Sequence, residues 1–237
     1  MADQPLIVFD SGIGGFSILS HLKDLNIPII YFADQANFPY GEKPESWVSQ
    51  RLVELVPIFA KYNPRGIVVA CNTGTVAGID LIRSQVACPV FGVEPVVKML
   101  TNYTNPVIWG TKITVSSAKA VGLKKTHGDH VRYYTPTGLA SAIEYDDSIA
   151  INKVLDLARL ELGEPDAIGL SCTHYPLIAK QIGQVFPNAK LYDPSLAVAT
   201  HIQKTLKLTK INSGHPRITY LTTGDVLRLK KMAKKYL

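Results

Sequence analysis

At 237 residues, with 46% hydrophobic and 19% charged side chains, the chain can bury the core of one large domain or two small ones and is too apolar to be disordered throughout. No stretch has the roughly 20 consecutive apolar residues needed to cross a bilayer. Met1-Ala2-Asp3-Gln4 lacks the basic start of a secretory signal, so a cytoplasmic location is expected. The formal charge of +6 suits a small anionic substrate as well as a nucleic acid. Part of the excess sits at Arg228, Lys230, Lys231, Lys234 and Lys235, which reads as the solvated face of a last helix. No nucleic-acid-binding motif accompanies it.

Taken in chain order, short β-branched runs alternate with longer amphipathic stretches. Strands are predicted at Leu6–Phe9, Ile29–Ala33, Gly66–Cys71, Val90–Val93, Val107–Trp109, Val131–Thr135, Ala167–Cys172, Lys190–Tyr192 and Ile218–Thr222. Helices are clearest at Glu45–Tyr62, Ser148–Glu161 and Ser195–Leu206. Apolar strands separated by helices indicate parallel sheets covered on both faces. The expected fold class is therefore doubly wound α/β. Ile67-Val68-Val69-Ala70-Cys71-Asn72-Thr73 is echoed by Ile168-Gly169-Leu170-Ser171-Cys172-Thr173-His174, which suggests two similar halves. The boundary falls near Pro95–Tyr103. We expect a first domain over 1–96, completed by 207–237, and a second over 97–206.

In open α/β sheets, ligands bind beyond the carboxyl ends of the strands, and the polar clusters fall there. The first is Asp10-Ser11-Gly12-Ile13-Gly14-Gly15. Its glycines are too closely spaced for the G-x-G-x-x-G dinucleotide turn. A plain strand-to-helix turn capped by Asp10 or Ser11 competes evenly with an anion-binding loop. The second is Cys71-Asn72-Thr73 and the third Cys172-Thr173-His174. A lone cysteine at a strand end is by default a packed small hydrophobe. Two in matching contexts, each at a helix N-terminus that lowers a thiol pKa, point to function. His174 lies two residues past one of them and suits acid–base work near neutral pH. Asp10 is placed to orient or deprotonate Cys71 across neighbouring strands. The fourth cluster, Asn37-Phe38-Pro39-Tyr40-Gly41, is either an ordinary turn or a loop whose backbone donors reach a carboxylate.

The remaining cysteine, Cys88, sits before Pro89 and reads as packing. Three cysteines make no disulfide framework, and no pair has metal-ligand spacing, so no metal is expected. His21, His127, His130, His201 and His215 read as surface residues.

Asp10-Ser11-Gly12-Ile13-Gly14-Gly15, Phe38-Pro39-Tyr40-Gly41, Ala70-Cys71-Asn72-Thr73, Gly92-Val93-Glu94-Pro95, Cys172-Thr173-His174-Tyr175-Pro176 and Thr222-Thr223-Gly224-Asp225 resemble the motifs of glutamate racemases, in that family's order and over nearly the whole chain. The resemblance implies two α/β domains facing across a cleft and cofactor-independent interconversion of L- and D-glutamate, supplying D-glutamate for peptidoglycan, often by a homodimer. It implies Cys71 and Cys172 as opposed acid and base, with Asp10 the partner of Cys71 and His174 that of Cys172. Ser11, Tyr40, Gly41, Asn72, Thr73 and Thr173 would bind substrate. A further family threonine matches Thr111 or Thr114, with Thr114 preferred, and a family glutamate corresponds to Glu144. Gly74-Thr75 stands where the family usually has Ala-Ser, Leu170-Ser171 where it has Leu-Gly, and Asp193-Pro194 where it has Asp-Ser. These departures bear on side-chain preference and regulation.

Racemisation takes a proton from one face of a carbon and returns one to the other, so it needs two groups in opposite protonation states. Three rivals remain: a racemase of aspartate or another small carboxylate, a basic protein that binds a macromolecule without catalysis, and a redox thiol pair. The last requires the two Cα atoms within about 7 Å.

Overall fold

Strands buried from end to end must be covered on both faces, and this chain supplies a helix for nearly every crossover. The computed structural model describes residues 4–211 and 217–237; His215 lies outside them. In order the elements are β1 (Leu6–Asp10), α1 (Phe16–Leu22), β2 (Ile29–Ala33), α2 (Glu45–Ala60), β3 (Gly66–Val69), α3 (Asn72–Arg83), β4 (Val90–Gly92), β5 (Pro106–Gly110), α4 (Lys112–Ser116), α5 (Ala118–His127), β6 (Arg132–Tyr134), α6 (Leu139–Glu144), α7 (Ser148–Leu162), β7 (Ala167–Ser171), α8 (Ala179–Val185), β8 (Lys190–Tyr192), α9 (Ser195–Thr205), β9 (Ile218–Thr222) and α10 (Val226–Tyr236). Two sheets form, ordered β4-β3-β1-β2-β9 and β6-β5-β7-β8, and every pairing is parallel. The fold is α/β with two doubly wound units.

The period of two along β1 divides the core. Leu6 and Val8 face one cluster, which runs on to Val107, Trp109, Ile168 and Leu170 of the second sheet. Ile7 and Phe9 face the other, against Leu52, Leu55 and Phe59 of α2. Helix α7 is set by both its ends: Asp147 accepts from the Ala150 N–H at 3.0 Å, and Gly163 ends it at φ 66°, a conformation that costs glycine little.

Helix α9 packs mainly on α1 and β4 of the first sheet, although the expected boundary assigned it to the second domain. Its amphipathic pattern fixed that one face is buried, not which sheet it covers. We propose that the second unit ends before α9. Strand β9 joins the first sheet beside β2, Ile29 opposite Ile218. Helix α10 buries Leu229, Met232 and Ala233 and exposes Lys230, Lys231 and Lys234, so the basic tail is one face of an amphipathic helix. No helix among the described residues is long and apolar enough to cross a membrane.

The register places the chemistry. Asp10 pairs with Ala33 at one level of the first sheet, and Gly110 with Ser171 in the second. Asp34 and Thr111 therefore leave their strands at carboxyl ends. Cys71 and Cys172 lie just past β3 and β7, where the chain turns toward its next helix.

Candidate active site

The carboxyl ends of both sheets open on one cavity of about 700 Å³. Ser11, Tyr40, Gly41, Cys71, Asn72 and Thr73 line it from the first unit, and Cys172, Thr173 and His174 from the second. All three cysteines are free thiols. His21, His127, His130 and His201 are exposed.

Cys71 is the N-cap of α3, its Sγ accepting from the Gly74 N–H at 3.4 Å. Ser11 Oγ lies 3.9 Å from the same sulfur. A helix N-terminus favours thiolate, yet the net shift runs the other way: burial and the nearby Asp10 carboxylate push the Cys71 thiol well up, and the Gly74 N–H and Ser11 only partly oppose them. The sequence shows the helix start but not the loss of water around it. Asn72 donates to the Val93 carbonyl at 3.2 Å. Thr75, standing where the family usually has serine, joins β3 to β4 by donating to Val69 O at 3.2 Å and accepting from the Val93 N–H at 3.1 Å.

On the opposite side, His174 is buried. Its Nε2 meets Glu144 Oε2 at 2.9 Å, and the Phe38 ring covers it at 5.3 Å between centroids. Burial alone would depress the imidazole pKa, but the contacts with Cys172 and Glu144 and the Asp10 charge raise it well above the usual histidine value. These contacts favour the protonated imidazole beside Cys172. Burial would likewise raise the Glu144 carboxyl. Hydrogen bonds from His174, the Ile13 N–H (2.7 Å) and Gln35 (2.8 Å) outweigh burial and hold it below the ordinary range.

Asp10 is fully buried and does not line the cavity. Its oxygens accept from the Gly12 N–H at 2.7 Å and the Thr173 hydroxyl at 3.0 Å. It therefore reaches the Cys172 loop by hydrogen bond and Cys71 only through its charge. Burial, opposed by the His174 charge, raises its pKa to about 6. The Gly12–Gly15 turn does bind an anion, and the anion is the protein's own Glu144. A Cβ on Gly12 would fall 2.1 Å from Glu144 Oε2, and one on Gly14 2.4 Å from His174 Nδ1. These glycines make room for the second unit.

Tyr40 spends its hydroxyl on Asp34, at 2.6 Å, so it faces the cavity with ring and backbone. Asp34 is buried and also takes two bonds from Arg51, both 2.9 Å, and one from Thr223 at 2.9 Å. Burial would raise its carboxyl, but Arg51, Tyr40 and Asn37 prevail and lower it. This cluster anchors the short 3-10 turn Tyr40–Glu42, whose first N–H groups have no partner within the turn.

The preference for Thr114 over Thr111 does not match the geometry. Thr111 lines the cavity, while Thr114 is fully buried beneath it. Thr111 follows β5 and caps α4, so it projects at the sheet edge, whereas Thr114 sits inside the first turn of the helix. The hydroxyls run Thr73–Thr111–Thr114, 2.9 Å apart at each step, and cross between the units. Glu144 was expected only from the family resemblance, and nothing in the sequence pointed to Gln35. The one local signal for Glu144 is an acid ending the otherwise uncharged helix Leu139–Glu144.

Two buried thiols from equivalent strand ends, opening on one cavity beside a buried imidazole–carboxylate pair, form an arrangement suited to acid–base chemistry on both faces of a small molecule. Comparisons narrow the class. The glutamate racemase of Ralstonia nicotianae is 32% identical over 250 residues, covering 98% of this chain and 88% of that protein. The structure of Francisella tularensis glutamate racemase in complex with D-glutamate superposes with a TM-score of 0.82 and 26% identity, over 100% of this chain and 94% of that one. Escherichia coli glutamate racemase in complex with L-glutamate and the activator UDP-MurNAc-ala gives 0.83 and 25%, over 99% and 95%. No family model matches the sequence. The chain belongs to the glutamate racemase family of amino-acid racemases.

Proposed function

We propose that the protein interconverts L- and D-glutamate by a two-thiol acid–base mechanism and so supplies D-glutamate for peptidoglycan. The observation that carries this reading is the pair of buried thiols opening on one cavity from the two units. Cys172, with the His174 cation as counter-charge, takes the α-proton from one enantiomer. Cys71, held as a thiol by burial, delivers a proton to the other face; the roles reverse for the other enantiomer. The α-carbon of an amino acid is a poor acid, so the developing negative charge on the α-carboxylate must meet preorganised donors. Asn72, Thr73 and the first turn of α3 supply them beside Cys71. Thr173, linked to Asp10, meets the amino group. The Tyr40–Gly41 backbone and Thr111 receive the side-chain carboxylate. Unpaired thiols persist most readily in a reducing compartment, in keeping with the expected cytoplasmic location, and we expect a homodimer, to be checked by light scattering.

The reading is tested by following optical activity of L- and D-glutamate with purified protein, with L- and D-aspartate in parallel. Loss of rotation from both glutamate enantiomers is expected. Racemisation of aspartate with glutamate untouched would replace the substrate, and inertness toward both would remove the enzyme.

Asp10 gives a pH test with two signs. Its pKa rises from 3.8 to about 6 in the fold, so activity falls as pH drops through about 6 and the carboxylate is lost. Asp10→Asn has a lower rate at pH 8 and no such limb. A raised carboxyl contributes stability that is full below 3.8 and lost as pH rises through about 6. Asp10→Asn is therefore more stable relative to wild type at pH 7.5 than at pH 4. Equal melting differences at both pH values would show that Asp10 does not titrate this way.

A further inference from the structure

We propose that Gln35 is a positioning residue for proton transfer at Cys172, acting across the cleft through Glu144 on His174. The inference rests on the racemase reading and goes beyond it.

Glu144 is buried with both carboxylate oxygens in use. Oε2 takes His174 Nε2 and the Ile13 N–H. Oε1 takes only Gln35 Nε2, at 2.8 Å. The orientation of the Gln35 amide is set from behind. The Gly224 N–H donates to Thr222 Oγ1 at 2.9 Å, and Thr222 donates its own proton to Gln35 Oε1, also at 2.9 Å. With its oxygen engaged there, the amide can present only N–H to Glu144. A Cβ at Gly224 would lie 2.9 Å from the Gln35 Cβ, so this close approach depends on glycine.

Gln35 and Thr222 leave β2 and β9 of the first sheet, whereas Glu144 and His174 belong to the second unit. The run Gly224–Thr222–Gln35–Glu144–His174 therefore ties the closed arrangement of the units to the charge beside Cys172. Without the amide, Glu144 Oε1 is a buried acceptor with no donor. The anion is then less favoured, and with it the His174 cation that faces Cys172.

The test uses full-length protein carrying 13C-labelled histidine, with the His174 resonance assigned by its loss in H174N. In Gln35→Met, which keeps the shape and removes the donor, the His174 imidazole is expected to titrate at lower pH than in wild type. The kcat for glutamate is expected to fall roughly tenfold, the loss of about one hydrogen bond's worth of transition-state alignment, with KM within about twofold. Gln35→Glu sets a second carboxyl against Glu144. When that pair shares a proton the donor is restored, so the variant recovers activity at acidic pH and loses it at alkaline pH. A merely structural role would not produce that profile. Thr222→Val, which frees the amide to turn over, is expected to show the same shift more weakly, and it decides the matter should Gln35→Met not fold. An active wild type with unchanged His174 titration and unchanged kcat in these variants overturns the proposal. An inactive wild type overturns the racemase reading instead, while the histidine titration still reports on Gln35.

Discussion

Cys71→Ser and Cys172→Ser each reduce interconversion of the glutamate enantiomers by roughly a thousandfold or more, since each removes one of two groups that must act in the same turnover. A serine hydroxyl is far too weak an acid to take the place of a thiol at either end. The two variants are nonetheless expected to differ. The equilibrium constant between enantiomers is one, so kcat/KM must stay equal in both directions whatever is mutated. The difference therefore appears in a partial reaction, exchange of the α-proton with deuterium in D2O. The thiol that remains still faces one enantiomer, removes its proton and returns deuterium to the same face. One variant should label L-glutamate without inverting it, and the other should label D-glutamate. Proton NMR of the recovered amino acid, with its chirality read separately, distinguishes these. Mild and equal losses, or the same enantiomer labelled by both variants, would end the two-thiol scheme.

The strands that carry these thiols were legible because parallel strands covered on both faces read as unbroken apolar runs. Val8, Val68 and Ile168 sit in such runs, and the polar residues that follow mark the carboxyl ends. Cys71 and Cys172 stood out for the same reason. The sequence does not disclose which residues the fold brings together from afar. Glu144 is 131 residues from the Ile13 N–H and 109 from Gln35, and its neighbourhood in the chain reveals neither. Thr111 and Thr114 look alike in the string Gly110-Thr111-Lys112-Ile113-Thr114, and only the position of the helix start separates the one at the cavity from the one beneath it. The same limit applies to electrostatics. The helix N-terminus at Cys71 can be read locally, but burial of its sulfur is set by side chains distant in the chain, and burial prevails.

Closure of the units yields the second large effect, at a residue with no chemistry of its own. Gly14→Ala adds one methyl group, whose carbon would lie 2.4 Å from His174 Nδ1 and 2.6 Å from Thr173 Oγ1. Neither neighbour yields cheaply, because Thr173 is bonded to Asp10 and His174 to Glu144. Either the imidazole leaves its place beside Cys172 or the units part. Overpacking of this kind costs about 1–3 kcal/mol, and a displacement of about 1 Å at a reacting group costs about a hundredfold in rate. We expect both, read as a lower urea midpoint and a kcat/KM down by about two orders of magnitude. The same substitution at Gly122 is the control. That glycine lies inside α5, and a Cβ there meets nothing within 4 Å. Alanine at that position should raise stability by about 0.5–1 kcal/mol through helix propensity and leave the rate unchanged. Gly14→Ala with wild-type kinetics would mean that His174 and the Gly12–Gly15 turn are not in contact in the working enzyme, and the closed arrangement of the site would fail with it.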